Sequence, residues 1–296
     1  MLNVQLHEIP GYDNFATLQP ILEGGSGEDK YRVITKTGEQ MFLRIGVCAD
    51  SIQNHKKHIL AETLDIPIAR TIDFGVFGDN VHYYWLLTWL EGTSAFDLLP
   101  TLDDAGQFNL GVKSGTLLRK IHSLPITEPI EPLQEWLGRH IDFFTEEVRK
   151  KHGHNSKIHN NIIAYIHDNK DILRTRPQTF LHGDFGLSNL IVTPSGDIAP
   201  TDFSYNLRSY GYPPLEMSNF YETGATTPYT SGQVWGYFNG SIPKDFWHEY
   251  LFGEAYLALI IFATRKDESW TDYIENWYSE RVANAVDVIP QWYVKK

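Results

Sequence analysis

The sequence predicts an α+β protein in two parts: an antiparallel sheet with one helix over residues 1–92, then a mainly helical region over residues 93–296. Three observations carry this reading. Apolar and β-branched runs separated by turn residues fill the first ninety positions; apolar residues at helical spacing dominate after Gly92; and one stretch, 180–203, interrupts the helices with a hairpin. Strands segregated from helices make an α+β arrangement rather than an alternating one.

In the first part, residues 31–35 (YRVIT) and 39–47 (EQMFLRIGV) flank Lys36-Thr37-Gly38, a hairpin turn. A helix is expected over 52–64, and the runs IPIARTIDFGVFG and VHYYWLLTWLEG supply further strands. Beyond Gly92, Phe108, Val112, Leu117, Leu118 and Ile121 recur at helical spacing, and Pro125 follows the end of that helix. Further helices are expected near 136–151, 157–173, 213–221, 243–264 and 270–286. Within 180–203 (FLHGDFGLSNLIVTPSGDIAPTDF), two apolar runs flank Thr193-Pro194-Ser195-Gly196-Asp197, a turn of Pro and Gly.

A chain of 296 residues buries a sizeable core without covalent staples, and its single cysteine, Cys48, excludes an internal disulfide framework and suits a reducing cytoplasm. The opening MLNVQLHEIPGYDNF has neither a basic start nor an apolar run, so no signal peptide is expected; charge and polarity break every apolar segment, so no membrane span or membrane partner is expected either. Net charge is −12, which disfavours a phosphate backbone as partner and argues against nucleic-acid binding. A cationic ligand is compatible with this charge, although acidity serves solubility equally well. No element of the sequence specifies an oligomeric state.

The residues that carry chemistry lie around the interrupting hairpin. Phosphoryl transfer needs oxygen ligands for Mg²⁺, a carboxylate near the acceptor hydroxyl, and groups that cradle phosphates. Asp and an Asn side-chain carbonyl suit Mg²⁺. Here His182-Gly183-Asp184 precedes Asn189 by five residues from the aspartate, and Asp202-Phe203 closes the second strand. Singly, each residue reads as a turn or a cap; the ordered set reads as a site.

HGDFGLSN followed by TDF across a short hairpin resembles the aminoglycoside phosphotransferase family, which shares the bilobal fold of protein kinases. The resemblance implies an N-terminal nucleotide-binding lobe over 1–92 and a helical lobe over 93–296 that holds the catalytic loop and the acceptor site. It implies that Asp184 is the catalytic base and that Asn189 and Asp202 bind Mg²⁺ bridging the phosphates of ATP or GTP. Thr201 stands where the family usually carries an apolar residue. Glu23-Gly24-Gly25-Ser26-Gly27-Glu28-Asp29 looks like the family's phosphate-covering loop, where glycine lets backbone N–H groups approach oxygen. Arg44 occupies the place of the strand cation that pairs with the phosphates. Its partner is less plain: SIQNHKKHILAETL is basic where a glutamate is expected, Glu62 comes late, and Gln53 or an acid from elsewhere is left to orient Arg44. Thr88, Trp89 and Leu90, before Glu91-Gly92, fall where backbone groups would meet the purine edge. His122 and His182 read as structural. Tyr212 stands where the family carries an aspartate, which puts the loop geometry below the metal site in question, while Glu216 keeps a later acidic position.

The expected activity is transfer of the γ-phosphoryl group to a hydroxyl of a small molecule, an aminoglycoside or related antibiotic. A metabolic kinase for a sugar, macrolide or amino-alcohol is a second reading, and a silent kinase-fold binding protein a third. The acceptor is expected against the C-terminal helices, where Trp235, Trp247, Tyr256, Trp270, Asp272 and Glu275 mix aromatic faces with acids.

Overall fold

The structure is a computed structural model and describes residues 6–22, 27–47, 51–77, 81–204, 210–217 and 227–264. The chain forms two compact units, Met1–Leu98 with Gly186–Leu207, and Leu99–Phe185 with Arg208–Lys296. The hairpin at 186–207 therefore groups with the N-terminal sheet, and the chain visits each unit twice.

The first unit is built on β1 (Phe15–Ile21), β2 (Asp29–Thr35), β3 (Gln40–Gly46), β4 (Thr71–Val76) and β5 (Tyr83–Thr88), all antiparallel in the order β1-β2-β3-β5-β4. The Lys36–Gly38 turn sets the β2–β3 register, with Lys30 opposite Arg44, and Arg44 in turn lies opposite Trp85. Side chains alternate across a strand. Leu43 and Ile45 therefore enter a core with Ile9, Val33, Phe77, Tyr84 and Leu86, while Arg44 between them faces the other way. That second face carries Tyr83, Trp85 and Leu87. Against it lies α1 (Ser51–Ala61), through His55 stacked on Phe74 at 3.9 Å and His58 edge-on to Trp85 at 4.9 Å. A second sheet in the same unit orders β6 (Thr93–Ser94), β8 (Leu190–Val192) and β9 (Ile198–Pro200), with α2 (Ala95–Leu98) beside it.

Among its described residues the second unit is helical apart from the short antiparallel pair β7 (Thr179–Phe180) and β10 (Tyr210–Gly211). Its helices are α3 (Asp104–His122), α4 (Leu133–His152), α5 (Lys157–Asn169), α6 (Pro228–Tyr237) and α7 (Phe246–Thr264). Asp103 caps α3 by accepting from the Gly106 amide at 2.8 Å. A core of Leu137, Ile141, Val148, Ile162, Ile166 and Leu259 joins α4, α5 and α7. Buried side chains of this kind each contribute roughly 1.5–3 kcal/mol.

The expected helix at 213–221 is a single 3₁₀ turn at Pro213–Glu216; residues 218–221 lie outside the described residues, as does the segment near 270–286 with Trp270, Asp272 and Glu275. Among the elements that were not expected, two stand out. Strand β1 carries Pro20 and buries neither face, as an edge strand permits. Helix α6 holds Gly232 and Gly236, poor helix formers on their own.

One buried histidine gives the fold an acid limit. His159 packs against His152 and Phe262, each at 4.4 Å between ring centroids, and neither ring nitrogen has a hydrogen-bond partner. Burial, reinforced by His152 and Lys151, pushes its pKa down to about 4. The unfolded chain then binds more protons, so stability is intact above about pH 6.5 and falls as pH drops toward about 4. Urea melts at pH 7.5 and 5 should show His159→Phe recovering about 1–2 kcal/mol of the acid loss; equal acid losses in both proteins would contradict this.

Candidate active site

In the first unit the candidate residues centre on Arg44. Its guanidinium is buried and sits between two carboxylates. Nε donates to Glu28 Oε2 at 2.7 Å, and Nη2 lies 2.5 Å from Glu28 Oε2 and 2.7 Å from Asp202 Oδ1. Trp85 lies 5.6 Å from the guanidinium carbon. Burial works against the charge, but Asp202 and Glu28 outweigh it and hold the arginine pKa above its ordinary value. The opposite oxygen of Glu28 accepts from the Tyr83 hydroxyl. Burial, with Glu28 beside it, raises the pKa of that phenol, so Tyr83 stays a donor.

The hairpin β8–β9 delivers the other candidate residues of this unit. Leu190 pairs with Pro200 in the register, and the ladder continues one step further, where the Asn189 carbonyl accepts from the Thr201 amide at 2.8 Å and the Thr201 hydroxyl at 3.1 Å. Asn189 and Asp202 thus emerge at one end of one hairpin. Thr201, unusual by family pattern, closes that end with its hydroxyl. Asp202 has φ +59°, the left-handed region that side-chain-bearing residues rarely adopt. The next residues are pinned from α1: Phe203 is buried edge-on to His58 at 5.7 Å, and buried Lys57 donates to the Ser204 carbonyl.

The end of β5 and the segment after it are already engaged. The Thr88 amide donates to the Arg70 carbonyl at 2.9 Å, and the Thr88 hydroxyl accepts from the Arg70 amide at 2.8 Å. The Trp89 amide reaches the Gln40 carbonyl at 3.4 Å, its indole donates to Glu91 at 2.9 Å, and Arg32 lies 4.7 Å over the ring. Leu90 follows them directly. Gly27 takes φ +68°, whereas Gly24, Gly25 and Ser26 lie outside the described residues.

The helical unit holds Asp184. Its loop turns at Gly183 with φ +94°, and the Asp184 amide donates to His182 Nδ1 at 3.3 Å. Glu216 grips this loop by its backbone: Oε2 accepts from the His182 amide at 2.8 Å and Oε1 accepts from the Gly183 amide. His122 Nε2 lies 2.9 Å from the same carboxylate, and its Nδ1 lies 2.9 Å from the Tyr237 hydroxyl. Burial alone would raise the Glu216 pKa, but His122, His182 and the Gly183 amide overcome it and keep the carboxyl below its ordinary range. Tyr212 points elsewhere, donating to buried Glu249, which also pairs with Arg176.

The model of the APH phosphotransferase enzyme family matches residues 17–199, more than half of the chain, from within β1 to within β9. The chain belongs to this family. As a phosphotransferase it has the kinase-like fold of solved relatives. The ADP-bound aminoglycoside phosphotransferase APH(2'')-Ib is 13% identical with a TM-score of 0.63, over 93% of this chain and 96% of that one. A thermostable mutant of APH(4)-Ia, in a ternary complex with ADP and hygromycin B, is 14% identical with a TM-score of 0.66, over 96% and 97%. A putative aminoglycoside phosphotransferase from Ralstonia eutropha JMP134 is 13% identical with a TM-score of 0.63, over 94% of each chain. No curated protein matches the sequence.

In this phosphotransferase the carboxylate beside the strand cation is Glu28, not an acid of α1. Glu62 is committed elsewhere, accepting from the Thr71 amide at 2.7 Å and lying 3.4 Å from His58 Nε2. A signal for Glu28 was present in the sequence: the hairpin turn puts Lys30 opposite Arg44, so Glu28 is the diagonal neighbour on the same face. Lys57 had no such signal, since a lysine in a basic helix reads as solvated. The loop geometry that Tyr212 put in question is supplied by Glu216 instead.

The Glu216 grip makes a direct prediction. Glu216→Gln removes the charge that two amides and His122 converge on and turns a donor toward them. Loss of about 3 kcal/mol of stability is expected, with a fall in transfer rate, read by urea melts and initial rates. Unchanged values in both would show that the loop holds its own shape.

Proposed function

We propose that this phosphotransferase is Mg²⁺-dependent and moves the γ-phosphoryl group of ATP or GTP to a hydroxyl of a small molecule, an aminoglycoside or related antibiotic. The observation that carries the reading is the direct Arg44–Asp202 contact, at 2.7 Å, between the strand cation and the end of the catalytic hairpin. Asp184 is then the base that receives the acceptor's proton. As the hydroxyl oxygen bonds to the γ-phosphorus, the bond from that phosphorus to the β–γ bridging oxygen breaks and the nucleoside diphosphate leaves.

Asn189 and Asp202 offer hard oxygen donors from one hairpin end, which fits Mg²⁺, and Asp202 keeps a third of its side chain exposed. When bound there, the ion would neutralise charge developing on the phosphate oxygens. Arg44 and the backbone of Gly24, Gly25, Ser26 and Gly27 would hold the phosphates, and the backbone from Thr88 through Trp89 to Leu90 the base edge. The ADP and hygromycin B bound by the structural relatives support a nucleotide donor and an aminosugar acceptor. No helix among the described residues is long and apolar enough to cross a membrane; with a lone cysteine this supports work in the cytoplasm.

Nucleotide consumption across a panel of aminoglycosides, macrolides and amino-alcohols tests the proposal. Acceptor-dependent, Mg²⁺-dependent turnover with an aminoglycoside supports it. Turnover only with an amino-alcohol would move the substrate class, and no acceptor-stimulated turnover anywhere would sink the enzyme reading.

A further inference from the structure

Glu28 stands between the strand cation and the hairpin carboxylate in a way that assigns it a task. We propose that Glu28, seated by Tyr83, is the positioning residue for Arg44 and keeps its guanidinium from committing wholly to Asp202. The inference rests on the roles given above to Arg44 and Asp202.

Three features support it. First, α1 offers no acid in Ser51–Ala61, and Glu62 just beyond it is bonded to Thr71, so the orienting carboxylate comes from the sheet. Second, Arg44 gives Glu28 two nitrogens and Asp202 one, and Nη2 is shared between the two carboxylates at 2.5 and 2.7 Å. The side chains of Arg44 and Glu28 are 9% and 11% exposed, so solvent screens this contest weakly. Third, the seat is built. Tyr83 donates to the far oxygen of Glu28, and a Cβ at Gly46 would lie 2.9 Å from both Glu28 Cγ and the Tyr83 hydroxyl, so glycine there makes room for both.

Without Glu28, a buried cation has Asp202 as its remaining carboxylate, and the whole of its charge falls on that one side chain. A cation binding at Asp202 must then displace a fully engaged arginine. The sheet-borne glutamate therefore acts on metal dependence as well as on rate, which a purely structural residue would not do.

The test is calorimetric titration of AMP-PNP at a series of Mg²⁺ concentrations, with the full chain, Glu28→Ala, Glu28→Gln, Tyr83→Phe and Glu62→Gln. Glu28→Ala is expected to raise the half-saturating Mg²⁺ about tenfold, with Glu28→Gln and Tyr83→Phe intermediate and Glu62→Gln like wild type. Tyr83→Phe loses one hydroxyl, so it reports even where Glu28→Ala fails to fold. If the wild type binds AMP-PNP and the Glu28 and Tyr83 variants show its Mg²⁺ dependence, or if Glu62→Gln alone shifts it, the inference is overturned. A wild type that binds no AMP-PNP at any Mg²⁺ concentration would overturn the nucleotide-site reading beneath it as well.

Discussion

Asp184→Asn is expected to slow phosphoryl transfer by about 10²–10⁴-fold while leaving Mg²⁺–nucleotide binding nearly unchanged. The substitution keeps shape and removes the proton acceptor. The loop should survive it, because Glu216 holds the loop by the His182 and Gly183 amides, outside the Asp184 side chain. Asn189 and Asp202, the proposed metal ligands, are anchored in β8–β9 through the Asn189 carbonyl and Thr201. Single-turnover transfer from γ-labelled nucleotide separates the two effects. A variant with wild-type single-turnover rate would mean that Asp184 is not the base; one that loses nucleotide binding together with rate would assign it to the nucleotide instead.

Gly115→Ala is expected to cost more than about 4 kcal/mol, enough to leave little folded protein. Helices α3 and α6 run parallel and touch backbone to backbone. A Cβ on Gly115 would lie 1.9 Å from the Gln233 carbonyl oxygen, and one on Gly111 2.1 Å from that of Tyr229. From the other side, a Cβ on Gly232 or Gly236 would lie 2.1 Å from the Phe108 or Val112 carbonyl oxygen. Because the obstacles are backbone, no rotamer change relieves them and the helices must separate. Separation would also break the buried bonds to the Ser114 hydroxyl from Tyr229 at 2.7 Å and Gln233 at 3.2 Å. The damage reaches the site, since α3 ends on His122 and α6 on Tyr237, the pair that braces Glu216 and through it the Asp184 loop. Gly138→Ala in α4 is the control: nothing lies within 4 Å of its Cβ position, and a gain of about 0.5–1 kcal/mol is expected. Thermal and urea melts distinguish the two; a Gly115→Ala protein within about 1 kcal/mol of wild type would mean that the helices are not so closely packed.

What was legible in the sequence was local. The β2–β3 hairpin, α1, α3 and the β8–β9 hairpin each announce themselves through turn residues or periodicity, and the order His182-Gly183-Asp184, Asn189, Asp202 needs no tertiary knowledge. What escaped depends on partners distant in sequence. Helix α6 reads poorly because its two glycines lower helix propensity, yet those glycines are what admit α3, so packing overrides propensity. Strand β1 is hidden by Pro20 and by a burial pattern lacking a two-residue period. Glu28 was read as part of the glycine loop, and only the strand register turns it toward Arg44. The Glu216–His122–Tyr237 brace joins three elements, and pattern reading reached no further than calling His122 structural. The segment near 270–286, where helices and acceptor contacts were expected, lies outside the described residues, so that expectation passes to experiment.

Phosphorus-31 NMR of a reaction containing the enzyme, Mg²⁺, ATP and an aminoglycoside tests the central claim most directly. The account predicts that the γ-phosphate signal is replaced by a phosphomonoester signal on the acceptor with wild type, and that the replacement is lost with Asp184→Asn. Orthophosphate as the only product, or the same ester formed equally fast by both proteins, would contradict it.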